Sequence, residues 1–401
     1  MTDKLPLSGL RILDVGTRIG APFAATLLAD FGAEVVKIEL PGSGDFMRTI
    51  GPFEKGYSLF WAVEGRNKKS ITLDLRKRAG QALFKRLVPL ADAIVENFQP
   101  GTLESWGLGY ELLEKLNPKI ILTRATVYGQ DGPYRDRPGL DRNGIAHGGL
   151  LYITGYPDRP PVRPGVIISD YVTGIFNALS ILIALYERDV GGSGRGQWVD
   201  LALYESVFRL MEHTVAAYDR LGIVREREGN RLRNSAPLDN WETRDGETIC
   251  IVAAGDALFP RLARVMGRED LLEDSRFRTL ADRARHGDEI NAIVAAWCRE
   301  RTAAEIEELL VAAQVPVCRA YSIRDIFADP HYRSRKDIVE VEDPEIGTVK
   351  MQGVYPRLSR TPGAVRRGAP RLGEHNDEIY RGLLGLGDAE IERLRSEKVI
   401  G

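Results

Sequence analysis

Residues 11–39 read RILDVGTRIGAPFAATLLADFGAEVVKIE. Arg11-Ile12-Leu13-Asp14-Val15 is a short apolar strand candidate. Ala21 to Phe31 has helical periodicity and stops at Gly32. Glu34-Val35-Val36-Lys37-Ile38-Glu39 is a second strand, closed by Pro41-Gly42-Ser43-Gly44. Strand, helix and strand fit within one βαβ unit, so a parallel pair is expected. Gly16 and Gly20 lack the spacing of a dinucleotide-binding fingerprint, which argues against a nicotinamide oxidoreductase.

The same rhythm recurs downstream. Ser70 to Leu75 reads as a strand, Gly80 to Leu90 as a helix and Ala93 to Asn97 as a strand. Tyr110 to Leu116 then reads as a helix and Ile120 to Thr123 as a strand. This alternation predicts an open, helix-covered α/β sheet. After Tyr204 the character changes. Glu205 to Leu221 reads as one long helix, and Arg225 to Arg233 as a charged linker. Asn240 to Ala253 reads as a hairpin turning at Asp245-Gly246. Helical patterns follow at Asp256 to Met266, Asp288 to Arg299 and Ala303 to Ala313. A strand at Thr348 to Met351 and a last helix at Asp388 to Glu397 close the chain. The expected organisation is a large domain from 1–205 and 346–401, a small domain at 230–325, and linkers at 206–229 and 326–345.

Composition bounds the function. A 401-residue chain is long enough for two or three domains at roughly 150 residues each. Hydrophobic content of 43%, charged content of 28% and a net charge of −2 suit a globular enzyme with no global field favouring nucleic acid. Cys250, Cys298 and Cys318 are odd in number and far apart, which reads as reduced, mostly core thiols of a cytoplasmic protein. The N-terminus has no apolar signal region, and the apolar run Ile175 to Tyr186 falls short of the ~20 residues a membrane span needs. No metal-binding motif is present, so no metal is expected.

The stretch Val166-Ile167-Ile168-Ser169-Asp170-Tyr171-Val172-Thr173-Gly174 places one carboxylate where an extended run meets a long apolar helix. Ile175, Leu179, Leu182 and Leu185 keep one face of that helix apolar. Asp170 reads as its N-cap, held ionised by the helix dipole. An ionised carboxylate in a closed site is also a nucleophile.

The text around Asp170 resembles the family III CoA-transferases, also called the CaiB/BaiF family. The likeness extends through residues 11–39 and RNKKSITLDL at 66–75. It continues in ENFQPGTLESWGLGYELLEKLNPKIIL at 96–122 and GQDGPYRDRPGLD at 129–141. It ends in APRLGEHNDEIYRGLLGLGDAEIERLR at 369–395. These blocks fall in family order from about Leu10 to Val399.

The resemblance implies a Rossmann-like large domain with a smaller inserted α+β domain, and a homodimer whose subunits interlock like chain links. It implies an acyl-CoA:carboxylate CoA-transferase with Asp170 as the nucleophile, acting through aspartyl anhydride and aspartyl-CoA thioester intermediates. Coenzyme A, as acyl-CoA, would be a substrate, with no permanently bound cofactor. A carboxylic acid would be the acceptor, with neither nucleic acid nor membrane as a partner. The CoA groove would be lined by Leu73, Asp74, Leu75 and Arg76, by Asn97, Phe98 and Gln99, and by the loop around Tyr128. The family often has arginine at the position of Leu40 and a basic residue at that of Ser105, so both contacts change here. Arg18 or Trp106 is a candidate to compensate, by charge or by stacking. Arg66, Lys68 and Lys69 flank the Ser70 strand, either facing CoA phosphates or forming a solvated rim. By resemblance Asp141, in RPGLD, is a family landmark near the site; by its own residues it reads as a loop residue capping the segment after it. Glu374 and His375 read as part of a C-terminal docking loop, and His147 as a structural group.

Two alternatives stand beside the transferase. A 2-methylacyl-CoA racemase needs an acid/base group on each face of the α-carbon. Racemase relatives place histidine directly before the aspartate that corresponds to Asp141, where this chain has Leu140. A non-catalytic CoA-binding protein is disfavoured by the retained Asp170 motif. The oxalate branch of the family carries a poly-glycine loop where this chain has Glu228 to Asn234, with one glycine. The expected substrates are therefore succinyl-CoA and a C4–C6 dicarboxylic acid, with Arg231 and Arg233 as candidates for a second carboxylate.

Overall fold

The structure is a computed structural model describing residues 4–401. It divides into two compact units. The described residues through Leu150, with Pro164–Val215 and His331–Gly401, form the first. Leu151–Arg163 and Ala216–Pro330 form the second.

The first unit is built on a six-stranded sheet. Its strands are β1 (Arg11–Asp14), β2 (Glu34–Glu39), β3 (Lys68–Thr72), β4 (Ala93–Glu96), β5 (Ile121–Thr126) and β6 (Trp198–Ala202). All pairings are parallel and the spatial order is β3-β2-β1-β4-β5-β6. This is the doubly wound order, in which the chain reverses direction across the sheet between β1 and β4. Helix α1 (Pro22–Asp30) links β1 to β2; α2 (Arg78–Leu87) and α3 (Tyr110–Leu116) follow β3 and β4. Two apolar layers cover the sheet. One joins Leu13, Val36, Ile71 and Ile94 to Phe84 of α2 and to Ile391 and Leu394 of the C-terminal helix Asp388–Ser396. The other joins Ile12, Val35, Val95 and Ile121 to α1 and to Ala178, Ile181 and Leu185.

Those last three residues belong to α5 (Ile168–Tyr186), which follows α4 (Asp141–His147). The apolar stripe read from the sequence divides: Ile175 is 54% exposed and Leu179 48%, while Leu185 joins the core. The helix is apolar all round, so the better-packing alanine-rich stripe, Ala178, Ile181 and Ala184, takes the core. With its C-terminal extension the helix runs Ile168–Gly191, longer than the apolar run suggested, and contains an 18-residue window of mean hydropathy 1.6. Length and composition alone would let it cross a membrane, but its inner face packs in the sheet core.

Three strand and helix boundaries differ from expectation. β3 starts two residues early, at Lys68, so Leu73-Asp74-Leu75 leave the sheet. Leu73 N–H still bonds Glu39 O at 2.7 Å, but Asp74 N–H turns to Val399 O at 2.8 Å. The long helix expected from Glu205 is two, α6 (Leu203–Phe208) and Thr214–Leu221, interrupted where Glu212 takes φ 51°. β6 carries no alternating apolar signal and was not expected.

In the second unit, a hairpin of β7 (Leu238–Glu242) and β8 (Thr248–Val252) turns at Asp245-Gly246 as predicted. It gains a third strand, β9 (Val317–Arg319). Helices Phe259–Val265, Gly287–Arg299 and Ala303–Ala312 close a core around Ile249, Ile251, Phe259 and Trp297. Leu151–Arg163 joins this unit by backbone bonds such as Gly229 N–H to Gly155 O at 2.9 Å. Of the three cysteines only Cys298 is fully buried, where burial pushes its thiol up to about 12. Cys250 and Cys318 are opposite each other in the β8–β9 register, and Cys318 is exposed, so most of the thiols are not core groups.

Candidate active site

The switch point lies between β1 and β4, where the loop Val15–Ala21 leaves the sheet. In doubly wound folds ligands bind outside the carboxyl ends of the strands at this point. A cavity of about 210 Å³ sits there. It is walled by Gly16 and Thr17 after β1, Glu39 and Leu40 after β2, Leu73 to Arg76 after β3, and Phe98 with Trp106 after β4. The early end of β3 makes one wall, because only irregular backbone turns Leu73, Asp74 and Leu75 toward the opening.

Beneath the loop lies a buried ion network. Lys37 of β2 pairs with Asp14 at 3.3 Å and Asp45 at 2.8 Å, and Lys68 of β3 pairs with Asp14 at 2.9 Å. All four side chains are essentially inaccessible. Lys37 also donates to Gly16 O, and Lys68 to Pro22 O at 2.8 Å. Burial disfavours the Lys37 ammonium, yet Asp14 and Asp45 outweigh it and raise its pKa. Burial likewise disfavours the Asp45 carboxylate, and Lys37 overcomes that to hold it below the usual range. Asp45 accepts the Arg18 N–H at 3.1 Å, and Asn97 grips Thr17 on both sides at 2.8 and 2.7 Å. The loop is therefore fixed from below and from β4.

Asp170 meets this loop from the start of α5. It is the third residue of the helix, not its N-cap; Ile167 holds the cap position and offers no side-chain acceptor. Asp141, the first residue of α4, accepts the Ser169 N–H at 2.8 Å and the Ser169 hydroxyl at 2.9 Å. So Asp141 caps not its own segment but the helix that carries Asp170. Asp170 is freed from that duty, and its carboxylate accepts no hydrogen bond from any described residue. A Cβ placed on Gly20 would lie 3.1 Å from Asp170 Oδ1, so the loop approaches this closely because residue 20 lacks a side chain. The backbone N–H groups of Ile19, Gly20 and Ala21 have no acceptor among the described residues.

Asp170 is not held ionised by the helix dipole, as its position had suggested. Burial, aided by the charge of Asp141 and opposed by Arg18, pushes its carboxyl up to about 7. Next to it Tyr171 turns away, donating to Glu64 Oε1 at 2.9 Å and packing edge-on against Phe23 with centroids 4.8 Å apart. Burial raises the Glu64 carboxyl.

Leu73, Asp74, Leu75, Arg76 and Phe98 line the cavity, and Leu40 does so too. Arg76 is latched to Asp74 at 2.8 Å and is 60% exposed on its rim. Phe98 meets Trp106 edge to face at 5.2 Å. Asn97 spends its amide on the loop. Gln99 is exposed, and Ser105 bonds its own helix at 2.7 Å through Thr102 O. Tyr128 joins Tyr134 and His147 in a ring cluster away from the cavity lining, at 6.0 and 5.4 Å.

Arg66, Lys68 and Lys69 are neither a CoA rim nor a solvated one. Arg66 pairs with Asp30 at 2.6 Å, Lys68 belongs to the buried network, and Lys69 bonds Glu34 and Glu378. With β3 starting early they sit in the strand and the turn before it. His375 accepts Ser70 N–H at 3.2 Å, and Asn376 bonds both Thr72 and Gly401, so the C-terminal segment docks on β3. Among the described residues no cluster of His, Cys, Asp or Glu forms a metal site.

A fold of this order with an unpaired carboxylate at its switch point is that of an α/β enzyme acting on a ligand at the strand ends. The chain belongs to CoA-transferase family III, whose sequence model matches residues 7–376. It is 47% identical over 98% of both chains to the succinyl-CoA–D-citramalate CoA-transferase of Chloroflexus aurantiacus. It is 44% identical, over 100% of this chain and 99% of the relative, to the beta subunit of that organism's succinyl-CoA–L-malate CoA-transferase. A crystal structure of a CaiB/BaiF family protein from Brucella suis superposes with a TM-score of 0.85 at 31% identity, over 95% of this chain and 100% of that one. This protein is therefore an acyl-CoA:carboxylate CoA-transferase.

Proposed function

We propose that Asp170 carries the transfer as a covalent nucleophile. The observation behind this is its carboxylate, unpaired and 3.1 Å from where a Gly20 Cβ would stand, against a loop whose Ile19, Gly20 and Ala21 N–H groups have no acceptor among the described residues. Asp170 attacks the thioester carbonyl and expels CoA thiolate, leaving an acyl-aspartyl anhydride. The thiolate attacks the aspartyl carbonyl and releases the donor acid, giving aspartyl-CoA. The acceptor carboxylate attacks that thioester, again expelling thiolate and forming a new anhydride. The thiolate then takes the acceptor acyl group and frees Asp170. No proton moves, so no neighbouring base is needed. Ile19, Gly20 and Ala21 N–H groups supply donors for each tetrahedral oxyanion. A pKa near 7 makes the ionised Asp170 a better nucleophile than an ordinary carboxylate, while leaving a large ionised fraction at neutral pH.

The donor is read as succinyl-CoA and the acceptor as a C4–C6 dicarboxylic acid. The named relatives act on succinyl-CoA with citramalate or malate, and a human relative at 31% identity is a succinyl-CoA:glutarate CoA-transferase. CoA is read as lying along the cavity past Leu73 to Arg76 and Phe98. The working form is read as a cytoplasmic homodimer with interlocked subunits. The exposed Ile175, Leu179, Leu182 and Ile183 stripe of α5 supports a partner surface.

The test is a matrix of acyl-CoAs against free acids followed by mass spectrometry, with borohydride or hydroxylamine added during turnover. Reduction or hydroxamate formation at the peptide holding Asp170 is expected. Turnover with neither modification overturns the covalent route.

A further inference from the structure

We infer that Arg18 forms a subsite for the second carboxylate of the dicarboxylic acyl group, resting on the substrate reading above. Four observations converge on it. First, Arg18 lies on the β1 loop that faces the nucleophile, two residues before Gly20. Its backbone is held at φ 64°, in the left-handed region, by Asp45 accepting its N–H at 3.1 Å. A non-glycine residue in that region costs about 1–3 kcal/mol and persists only where its surroundings over-determine it. Second, its guanidinium stacks on the Phe46 ring with the central carbon 3.8 Å from the centroid. Stacking fixes the plane of the fork and leaves its edge N–H groups for a bidentate partner.

Third, no carboxylate among the described residues pairs with it, although neighbouring arginines are committed. Arg48 pairs with Glu39, Arg66 with Asp30, Arg76 with Asp74 and Arg124 with Glu96. Arg231 and Arg233, the arginines expected to hold this carboxylate, are themselves paired, with Asp239 and Glu228. Fourth, Arg18 is absent from the lining of the cavity at the strand ends, which Gly16 and Thr17 do line. Its charge acts on Asp170 instead, opposing the rise in that carboxyl's pKa. We assign it to the acyl end of the site, next to the Gly20 approach to Asp170 on the same loop. A C4–C6 diacid carries its second carboxylate two to four carbons beyond the one that Asp170 attacks.

The test compares succinyl-CoA with butyryl-CoA, which replaces the distal carboxylate by a methyl group, in wild type, R18Q and R18K. Wild type should favour succinyl-CoA. R18Q should lose on the order of 10–100-fold in kcat/KM for succinyl-CoA, the worth of a charge-assisted hydrogen bond. Loss of the Arg18 charge lets the Asp170 carboxyl rise further and slows both thioesters alike, so the reading is the ratio: the preference for succinyl-CoA over butyryl-CoA should fall at least about tenfold, and inhibition by free CoA should stay within about twofold. R18K keeps the charge and stem but not the fork; if R18Q fails to fold, a loss of about tenfold confined to succinyl-CoA in R18K supports the subsite. Equal loss on both thioesters, weakened CoA inhibition, or no loss overturns the assignment. A wild type without preference for succinyl-CoA overturns the substrate reading and the subsite together. A preference that survives both substitutions overturns the subsite alone.

Discussion

The Asp141 carboxylate accepts the Ser169 N–H at 2.8 Å and so caps the helix whose next residue is Asp170. One contact thus sets both the position and the charge of the candidate nucleophile. Asp141 satisfies an orphan N–H of the first turn, and its own negative charge helps raise the Asp170 carboxyl to about 7, after burial.

A pH profile follows from that arrangement. The reactive form is ionised, so kcat/KM should fall as pH drops below about 7, well above the range of an ordinary aspartate. Asn at position 141 keeps an acceptor for Ser169 but removes the charge. D141N should therefore retain activity and move the acidic limb to lower pH. A limb that stays in place would detach Asp141 from the titration.

Asp170 should also cost stability. A raised folded-state pKa means the native protein binds more protons than the unfolded chain between the ordinary value of 3.8 and about 7. Stability then falls as pH rises through that window, and the full cost is present above it. D170N removes the buried charge. It should abolish transfer, retain CoA binding, and melt several degrees above wild type at pH 8, with the gap closing toward pH 4. Thermal melts at both pH values check this.

Gly20 tests the close approach. A Cβ there would stand 3.1 Å from Asp170 Oδ1, so one of the two must yield by a few tenths of an ångström. φ at this residue is not in the left-handed region, so G20A should fold with near-normal stability. Misplacing a reacting group by this amount should lower kcat roughly tenfold. The KM for acyl-CoA should move little. Unchanged kcat would mean the loop does not position the carboxylate.

How far the sequence revealed this site depends on the range of the interactions. Strands β1, β2, β4 and β5 were legible because short apolar runs bounded by turn residues carry the signal locally. β6 was not, since Asp200 and the exposed Trp198 break its pattern. Which side of α5 meets the core was not legible, because alanine and isoleucine make the helix apolar all round and periodicity cannot choose between two apolar faces. Asp170 was legible as a motif, and Asp141 and Arg18 as residues of the site, but how they meet Asp170 was not. Gly20, Asp141 and Arg18 lie 150, 29 and 152 residues away in the chain, and only the packing of α4 against the start of α5, and of that start against the β1 loop, assembles them. The Asp14, Lys37 and Lys68 network escaped for a related reason. A lysine inside a strand reads as a solvent-facing residue until neighbouring strands bring carboxylates beside it.

That network predicts a large stability effect. K37M would leave Asp14 with Lys68 but strip Asp45 of its buried counter-ion. Removing one partner of a buried pair costs about 3–5 kcal/mol. Denaturant unfolding should show a loss of that size. The double variant K37M/D45N should recover part of it, because the orphaned charge is gone. No recovery would mean that Lys37 acts through Gly16 O and the loop instead of through the ion pair.

The last expectation separates transfer from isomerisation. Racemisation needs an acid/base group on each side of the α-carbon. Leu140, before Asp141, is exposed and cannot carry a proton. Asp141 is committed to Ser169, and His147 is held in the ring cluster of Tyr128, Tyr134 and Tyr204, 4.8 Å from the last. Asp170 thus has no opposing partner. In deuterated water the enzyme should leave the α-carbon of a 2-methylacyl-CoA unlabelled over the time in which it completes many transfers. L140H alone should not change this, since a histidine at an exposed helix start has nothing to orient it toward the α-proton. Rapid uptake by wild type would require a second base, and H147A would then be the variant to abolish it.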